Sequence, residues 1–207
     1  MRGNLQTKAR RQDVVTLDRS GFEDACADLM AQVTQDFRPD ALIGIRTGGF
    51  YVAEAMARSA GSALPVLPLT CRRASTAIKE KSGAFKALVA RLPRPLVDRL
   101  RVWEHAMLTR GGGTELGEPY RFDPDELSHL DRWLSCHGRG ASLLIVDDAV
   151  DTGATLAHVM EAVAHRAPDG ADIRSAVITV TTPQPRISPW YRLYDQQLCR
   201  FPWSFDA

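Results

Sequence analysis

Leu143-Leu144-Ile145-Val146-Asp147-Asp148-Ala149-Val150-Asp151-Thr152-Gly153-Ala154-Thr155 brings a strand signal, an acid pair and a turn together in one short run. Four apolar residues lead straight into two carboxylates. Small and hydroxyl-bearing residues follow, and then the helical pattern of Leu156–His165. An apolar run bounded in this way predicts a strand buried on both faces of a parallel sheet, here Ser142–Val146. Acids at the carboxyl end of such a strand stand where open α/β sheets keep their ligands. Asp151, Thr152, Gly153, Ala154 and Thr155 offer backbone N–H groups, two hydroxyls and a helix amino terminus, a set suited to a phosphate monoester. The run therefore implies a ligand with a phosphate at one end and a diol or metal nearby, and a sugar phosphate has that form.

Upstream, Ser20 to Asp36 reads as an amphipathic helix. Ser20 is its expected cap, and Phe22, Ala25, Cys26, Leu29, Met30 and Val33 recur at helical spacing. Ala41–Ile45 is a short apolar strand, followed by a turn and a second helix from Phe50 to Ser59. Leu64–Thr70 holds Pro65 and Pro68, which predicts an edge strand. This alternation is the pattern of a parallel α/β sheet. Cys71–Gly140 interrupts it. Lys79–Arg91 and Pro95–Leu108 read as helices, and Asp123 with Pro124 starts another, so the stretch is expected to be a mostly helical insertion. Ile173–Thr181 is a further strand, rich in β-branched residues. The tail from Pro183 carries prolines and aromatics, including Trp190 and Trp203, and reads as a packed, irregular lid.

Composition narrows the classes. With 207 residues, 44% hydrophobic and 25% charged, the chain has the make-up of a single globular domain. A formal net charge of +1 argues against a general nucleic-acid binder. The four cysteines (Cys26, Cys71, Cys136 and Cys199) lie far apart, which fits neither a zinc site nor a disulfide framework. No apolar run reaches membrane-spanning length and the first residues lack a signal-like core, so a cytoplasmic protein is expected. The five histidines share no ligand spacing, and Lys79, Lys81 and Lys86 with Arg91 read as a solvated face.

Ile43-Gly44-Ile45-Arg46-Thr47-Gly48-Gly49 is a second strand running into a glycine turn and a helix. Its glycines permit close backbone approach to an anion, and Arg46 supplies a fork of charged donors suited to diphosphate.

The acid-bearing run closely resembles the signature of the type I phosphoribosyltransferases, which bind 5-phosphoribosyl-1-diphosphate (PRPP). Arg46-Thr47-Gly48-Gly49 resembles the diphosphate loop of that family, especially of the bacterial xanthine-guanine enzymes. The resemblance implies an α/β fold with a central, mostly parallel sheet flanked by helices. It would form one domain over residues 1–207, with the insertion at 71–140 and a C-terminal hood at 183–207. It also implies that Asp147 and Asp148 face the ribose hydroxyls, directly or through Mg2+, and that Asp151 to Thr155 wrap the 5-phosphate. Arg46, Thr47, Gly48 and Gly49 would hold the diphosphate, with Arg46–Thr47 the site of a non-proline cis peptide. Asp151, where the purine enzymes carry an Asp facing N7, would be the catalytic base, which turns the reading towards purine-like acceptors. The implied partners are PRPP and a nucleobase, with no nucleic acid and no membrane, and a second copy of the chain in a dimer.

The chain departs from the pattern in three places. Thr181-Thr182-Pro183 stands where the 6-oxopurine enzymes carry a Lys. Leu198 replaces a stacking aromatic, and the 71–140 stretch is foreign to the small purine enzymes. Thr182 and Trp203, or Trp190, are then the candidates for base contact. These departures keep two other readings open: a PRPP-binding regulator without turnover, and a specialised transferase with an unusual acceptor.

Overall fold

The structure is a computed structural model that describes residues 14–61, 64–73, 120–137 and 140–204. Its centre is a five-stranded, all-parallel sheet in the order β3-β2-β6-β7-β8. The strands are β2 (Ala41–Ile45), β3 (Val66–Leu69), β6 (Ser142–Val150), β7 (Asp172–Val180) and β8 (Tyr191–Asp195). Every residue of β2 is buried, as expected of a strand covered on both faces. One face packs on α1 (Arg19–Val33) and α2 (Gly48–Ser59), through Leu29, Val52 and Met56 against Leu42, Leu144 and Val146. The other packs on α3 (Pro124–His137) and α4 (Ala154–Ala164), through Leu130, Leu134, Leu156 and Val159 against Ile43, Leu143 and Ile145. Alternate strand residues thus serve opposite cores.

The six apolar positions read on the first helix are its buried residues. Its cap is Asp18 rather than Ser20: Asp18 Oδ1 accepts from the Gly21 N–H at 2.8 Å, and the helix starts one residue before the serine. Both residue types cap well, and the carboxylate is already in place when the chain reaches Ser20. Among the described residues β3 pairs with β2 alone, in keeping with Pro68 within it and Pro65 just before it. At the start of α3, Asp123 Oδ1 accepts from Asp125 and Glu126, as its place before Pro124 predicted.

Two expectations are corrected. The acid-bearing strand does not end at Val146 but runs to Val150, because β7 goes on pairing with it through Asp147, Ala149 and Val150. The tail is not wholly irregular either. Tyr191–Asp195 adds the fifth strand, and β9 (Leu198–Arg200) pairs in parallel with β1 (Val14–Thr16). The 71–140 stretch begins with β4 (Cys71–Arg73) paired antiparallel to β5 (Tyr120–Phe122), and α3 follows. The helices read at Lys79–Arg91 and Pro95–Leu108 lie outside the described residues.

The connections place the site. From β2 the chain crosses through α2 to β3 on one side, and from β6 through α4 to β7 on the other. The strand order therefore switches between β2 and β6. A crevice opens at such a point outside the carboxyl ends of the strands.

Candidate active site

β2 stays paired with β6 only as far as Gly44 opposite Val146. Beyond that point the chain after β2 turns away into Arg46–Gly49, and Asp147 and Asp148 lose their strand neighbour on that side. The glycine loop fills the gap. A Cβ on Gly48 would overlap the Asp148 carboxylate, and one on Gly49 would lie 2.5 Å from the Val146 carbonyl oxygen and 2.6 Å from Asp147 Cα. Such approaches exclude any side chain without rearrangement. The glycines, read from sequence as room for an anion, are first of all room for the acid pair. The peptide bond Arg46–Thr47 is cis.

Asp147 and Asp148 are half-buried neighbours. Burial pushes the Asp147 carboxyl well above its ordinary value, and the adjacent Asp148 charge pushes it further; burial raises Asp148 as well. Asp147 Oδ1 accepts from the Asp148 N–H, and Asp148 Oδ1 from the Ala149 N–H, both at 3.0 Å. Neither carboxylate forms a salt bridge among the described residues.

Past Val150 the chain turns at Gly153, whose φ of 76° is left-handed and suits glycine, and enters α4. The two helices that start at the switch point differ from the two that do not. Asp18 and Asp123 cap α1 and α3, whereas no side chain caps α2 or α4 from its N-cap position. At α4 the Ala154 N–H donates to Thr152 Oγ1 at 3.4 Å; the other first-turn N–H groups there, and those of α2, have no side-chain cap at the N-cap position among the described residues, the arrangement that suits an anion. The site thus has two helix starts on either side of an acid pair.

A profile of the phosphoribosyl transferase domain matches residues 16–204. The chain belongs to this family. Purine phosphoribosyltransferase from Pyrococcus horikoshii is similar in structure, with a TM-score of 0.58, 21% identity and coverage of 92% of this chain and 93% of that one. The xanthine-guanine-hypoxanthine phosphoribosyltransferase of Helicobacter pylori is similar at a TM-score of 0.59, 15% identity and coverage of 94% and 96%. A hypothetical protein from Neisseria gonorrhoeae with bound ppGpp is similar at 0.58, 14% identity and coverage of 95% and 92%. At these identities the likeness is one of fold. No curated protein matches the sequence.

In this phosphoribosyl transferase domain the remaining candidates fall into separate places. Asp151 Oδ1 accepts from the buried Thr181 hydroxyl at 2.9 Å, so the acid before the Gly153 turn is held by the residue that follows β7. Thr182 follows, half-buried. Trp203 lies in an aromatic cluster: stacked on Phe201 at 4.9 Å, edge-on to Phe22 at 5.0 Å and tilted to Tyr51 at 5.2 Å. Trp190 lies over the Arg174 guanidinium at 5.3 Å, near the amino-terminal half of β7 and away from the Gly153 turn. The tail covers the turn: the Arg186 N–H donates to the Thr152 carbonyl at 2.8 Å, and a Cβ on Gly153 would meet Ile187 N at 3.0 Å.

Sequence reading missed Glu126, whose Oε1 accepts from Arg46 Nε at 2.8 Å while Oε2 accepts from the Thr70 N–H. A glutamate in a first helical turn is ordinary, and eighty positions separate it from Arg46, so nothing local marks it. Gly44, read with its loop as room for an anion, is room for a helix: a Cβ there would stand 2.7 Å from Phe50 Cα, so the glycine lets α2 lie close on β2. No set of three or more His, Cys, Asp or Glu side chains among the described residues could hold a metal by itself, and no described helix is long and apolar enough to cross a membrane.

Proposed function

We propose that this domain transfers the 5-phosphoribosyl group of PRPP to a nitrogenous base, purine-like, with release of diphosphate. The observation that carries the reading is the packing of the Gly48–Gly49 loop onto Asp147 and Asp148 at the sheet's switch point, with the open start of α4 beside it. Asp151 to Thr155 take the 5-phosphate, Asp147 and Asp148 the ribose hydroxyls, and Arg46 to Gly49 the diphosphate. In the reaction the bond from C1 to the diphosphate oxygen breaks, and C1 passes through an oxocarbenium-like state. A ring nitrogen then bonds to C1 and gives up its proton to Asp151, which Thr181 holds in place. The guanidinium of Arg46 stabilises the charge that grows on the leaving diphosphate.

The donor set fits magnesium. Two crowded carboxylates raised by burial gain from a divalent charge, and Mg2+ is usually held by one or two carboxylates together with substrate oxygens rather than by an all-protein cage. Asp147 and Asp148 would hold it, and when bound it supplies positive charge beside the ribose and the leaving group. The same reading places the protein in the cytoplasm, in purine salvage, as a dimer.

PRPP consumption against a panel of purines and pyrimidines tests the claim. Base-dependent release of diphosphate is expected, and its absence across the panel would refute the enzyme. A second reading, a PRPP-binding regulator, is favoured by Thr181 and Thr182 in place of a lysine and by the packing of Trp203 among core aromatics. Tight PRPP binding without turnover would decide for it. Turnover restricted to a base outside the purines would favour the specialised transferase.

A further inference from the structure

We infer that Glu126 is a positioning residue for the diphosphate site: it fixes the Arg46 side chain through Nε and leaves the terminal nitrogens for the ligand. The inference rests on the proposed PRPP reading and adds a residue from within the 71–140 stretch.

Arg46 opens the loop after β2, and its guanidinium lies over the Phe50 ring at 4.7 Å. Its backbone N–H donates to the Leu69 carbonyl at 3.1 Å, so the residue is already tied to the end of β3. Glu126 ties the side chain to the same place. One carboxylate oxygen takes Arg46 Nε, and the other takes the N–H of Thr70, the residue after β3. The glutamate is itself fixed at the base, because Asp123 caps the turn that carries it. Its side chain is 16% exposed against 44% for Arg46, so the carboxylate is enclosed and the guanidinium open.

The choice of nitrogen matters. A guanidinium grips phosphate with a pair of N–H groups, and a carboxylate competing for that role would take the terminal fork. Here only Nε is engaged, and neither terminal nitrogen has a hydrogen-bond partner among the described residues. A long side chain held in one rotamer has less entropy to lose when diphosphate binds.

Calorimetry with PRPP and with ribose 5-phosphate, both in magnesium, tests the inference on the full chain. The variants are Glu126→Ala, Arg46→Ala and the double substitution, with Glu126→Gln as a milder change that keeps an acceptor for Nε. Glu126→Ala is expected to weaken PRPP about tenfold while leaving ribose 5-phosphate, which lacks the diphosphate, within about twofold. Adding it to Arg46→Ala should cost nothing further, since the two act as a unit. Glu126→Gln should fall between the wild type and Glu126→Ala, and it carries the test if Glu126→Ala does not fold. Unchanged or tighter PRPP binding in the Glu126 variants would overturn the inference, making the pair inert or an inhibitory latch. Equal weakening of both ligands, or additive losses in the double variant, would reduce Glu126 to a structural residue. A wild type that binds neither ligand would overturn the PRPP reading itself, and the inference with it.

Discussion

The two ends of the central sheet handle charge in opposite ways. At the amino end Arg174 meets a partner on every side: Asp36 at 2.7 Å, Asp172 at 3.1 Å, the Tyr191 hydroxyl at 2.7 Å, and the Phe37 ring at 4.5 Å. Tyr191 closes the set by donating to Asp36 at 2.8 Å. At the carboxyl end two carboxylates lie side by side, raised by burial and without a salt bridge among the described residues, beside two helix starts without side-chain caps. One end satisfies its charges within the chain, joining the α1 exit to β7 and β8. The other pairs Arg46 with Glu126 but leaves the acid pair without a cationic partner among the described residues. Local arrangements that lower stability in this way are characteristic of functional sites, which supports the proposed ligand site at this end.

Five substitutions sharpen or break that contrast. The largest effect is expected from Asp148→Asn, which should lower PRPP affinity in magnesium on the order of a hundredfold while leaving the unfolding midpoint unchanged or raised, because a desolvated carboxylate is removed from beside another. A clear loss of stability with affinity intact would reverse the roles assigned to the two ends. Next come the glycines. Gly49→Ala meets backbone at Val146 and Asp147 and should destabilise the fold by about 2 kcal/mol in denaturant titration. The nearest atoms Gly48→Ala meets belong to the Asp148 side chain rather than to backbone, so it should lose less stability but still displace the carboxylate and weaken PRPP. If the two variants proved equally stable, the packing described for the loop would be wrong.

A smaller effect is expected from Thr181→Val, which deprives Asp151 of its hydroxyl donor and should slow turnover roughly fivefold with PRPP affinity unchanged. Smallest at neutral pH is Asp36→Asn at the opposite end, which should lower the unfolding midpoint without touching ligand affinity. Tyr191 and Arg174 hold the Asp36 carboxyl below its ordinary value of 3.8. The stability it contributes is therefore present above pH 3.8 and is lost as pH falls through the lower folded value. The difference between wild type and Asp36→Asn should narrow over that acid range, and a gap that stays constant would remove Asp36 from the amino-end network.

Much of this layout was legible in the sequence because it rests on local pattern. The buried positions of α1 follow from helical spacing, β2 and β6 from their apolar runs, and the turn at Gly153 into a helix from its small and hydroxyl-bearing residues. What was not legible depends on tertiary pairing. β6 outlasts its apolar run because β7 keeps it extended, and Tyr191–Asp195 becomes a strand because β7 offers an open edge. Glu126 reaches Arg46 only because α3 packs back against the sheet. The function of Gly48 and Gly49 was read towards the ligand, whereas their first neighbours are the acids.

The most direct test of the central claim is a calorimetric titration of the wild-type protein with PRPP in magnesium, repeated with Asp148→Asn and with Arg174→Met. Saturable binding that is lost in the first variant and kept in the second is the expected result. Absence of heat in the wild type, or equal binding in all three proteins, would contradict a ligand site at the carboxyl end of the sheet.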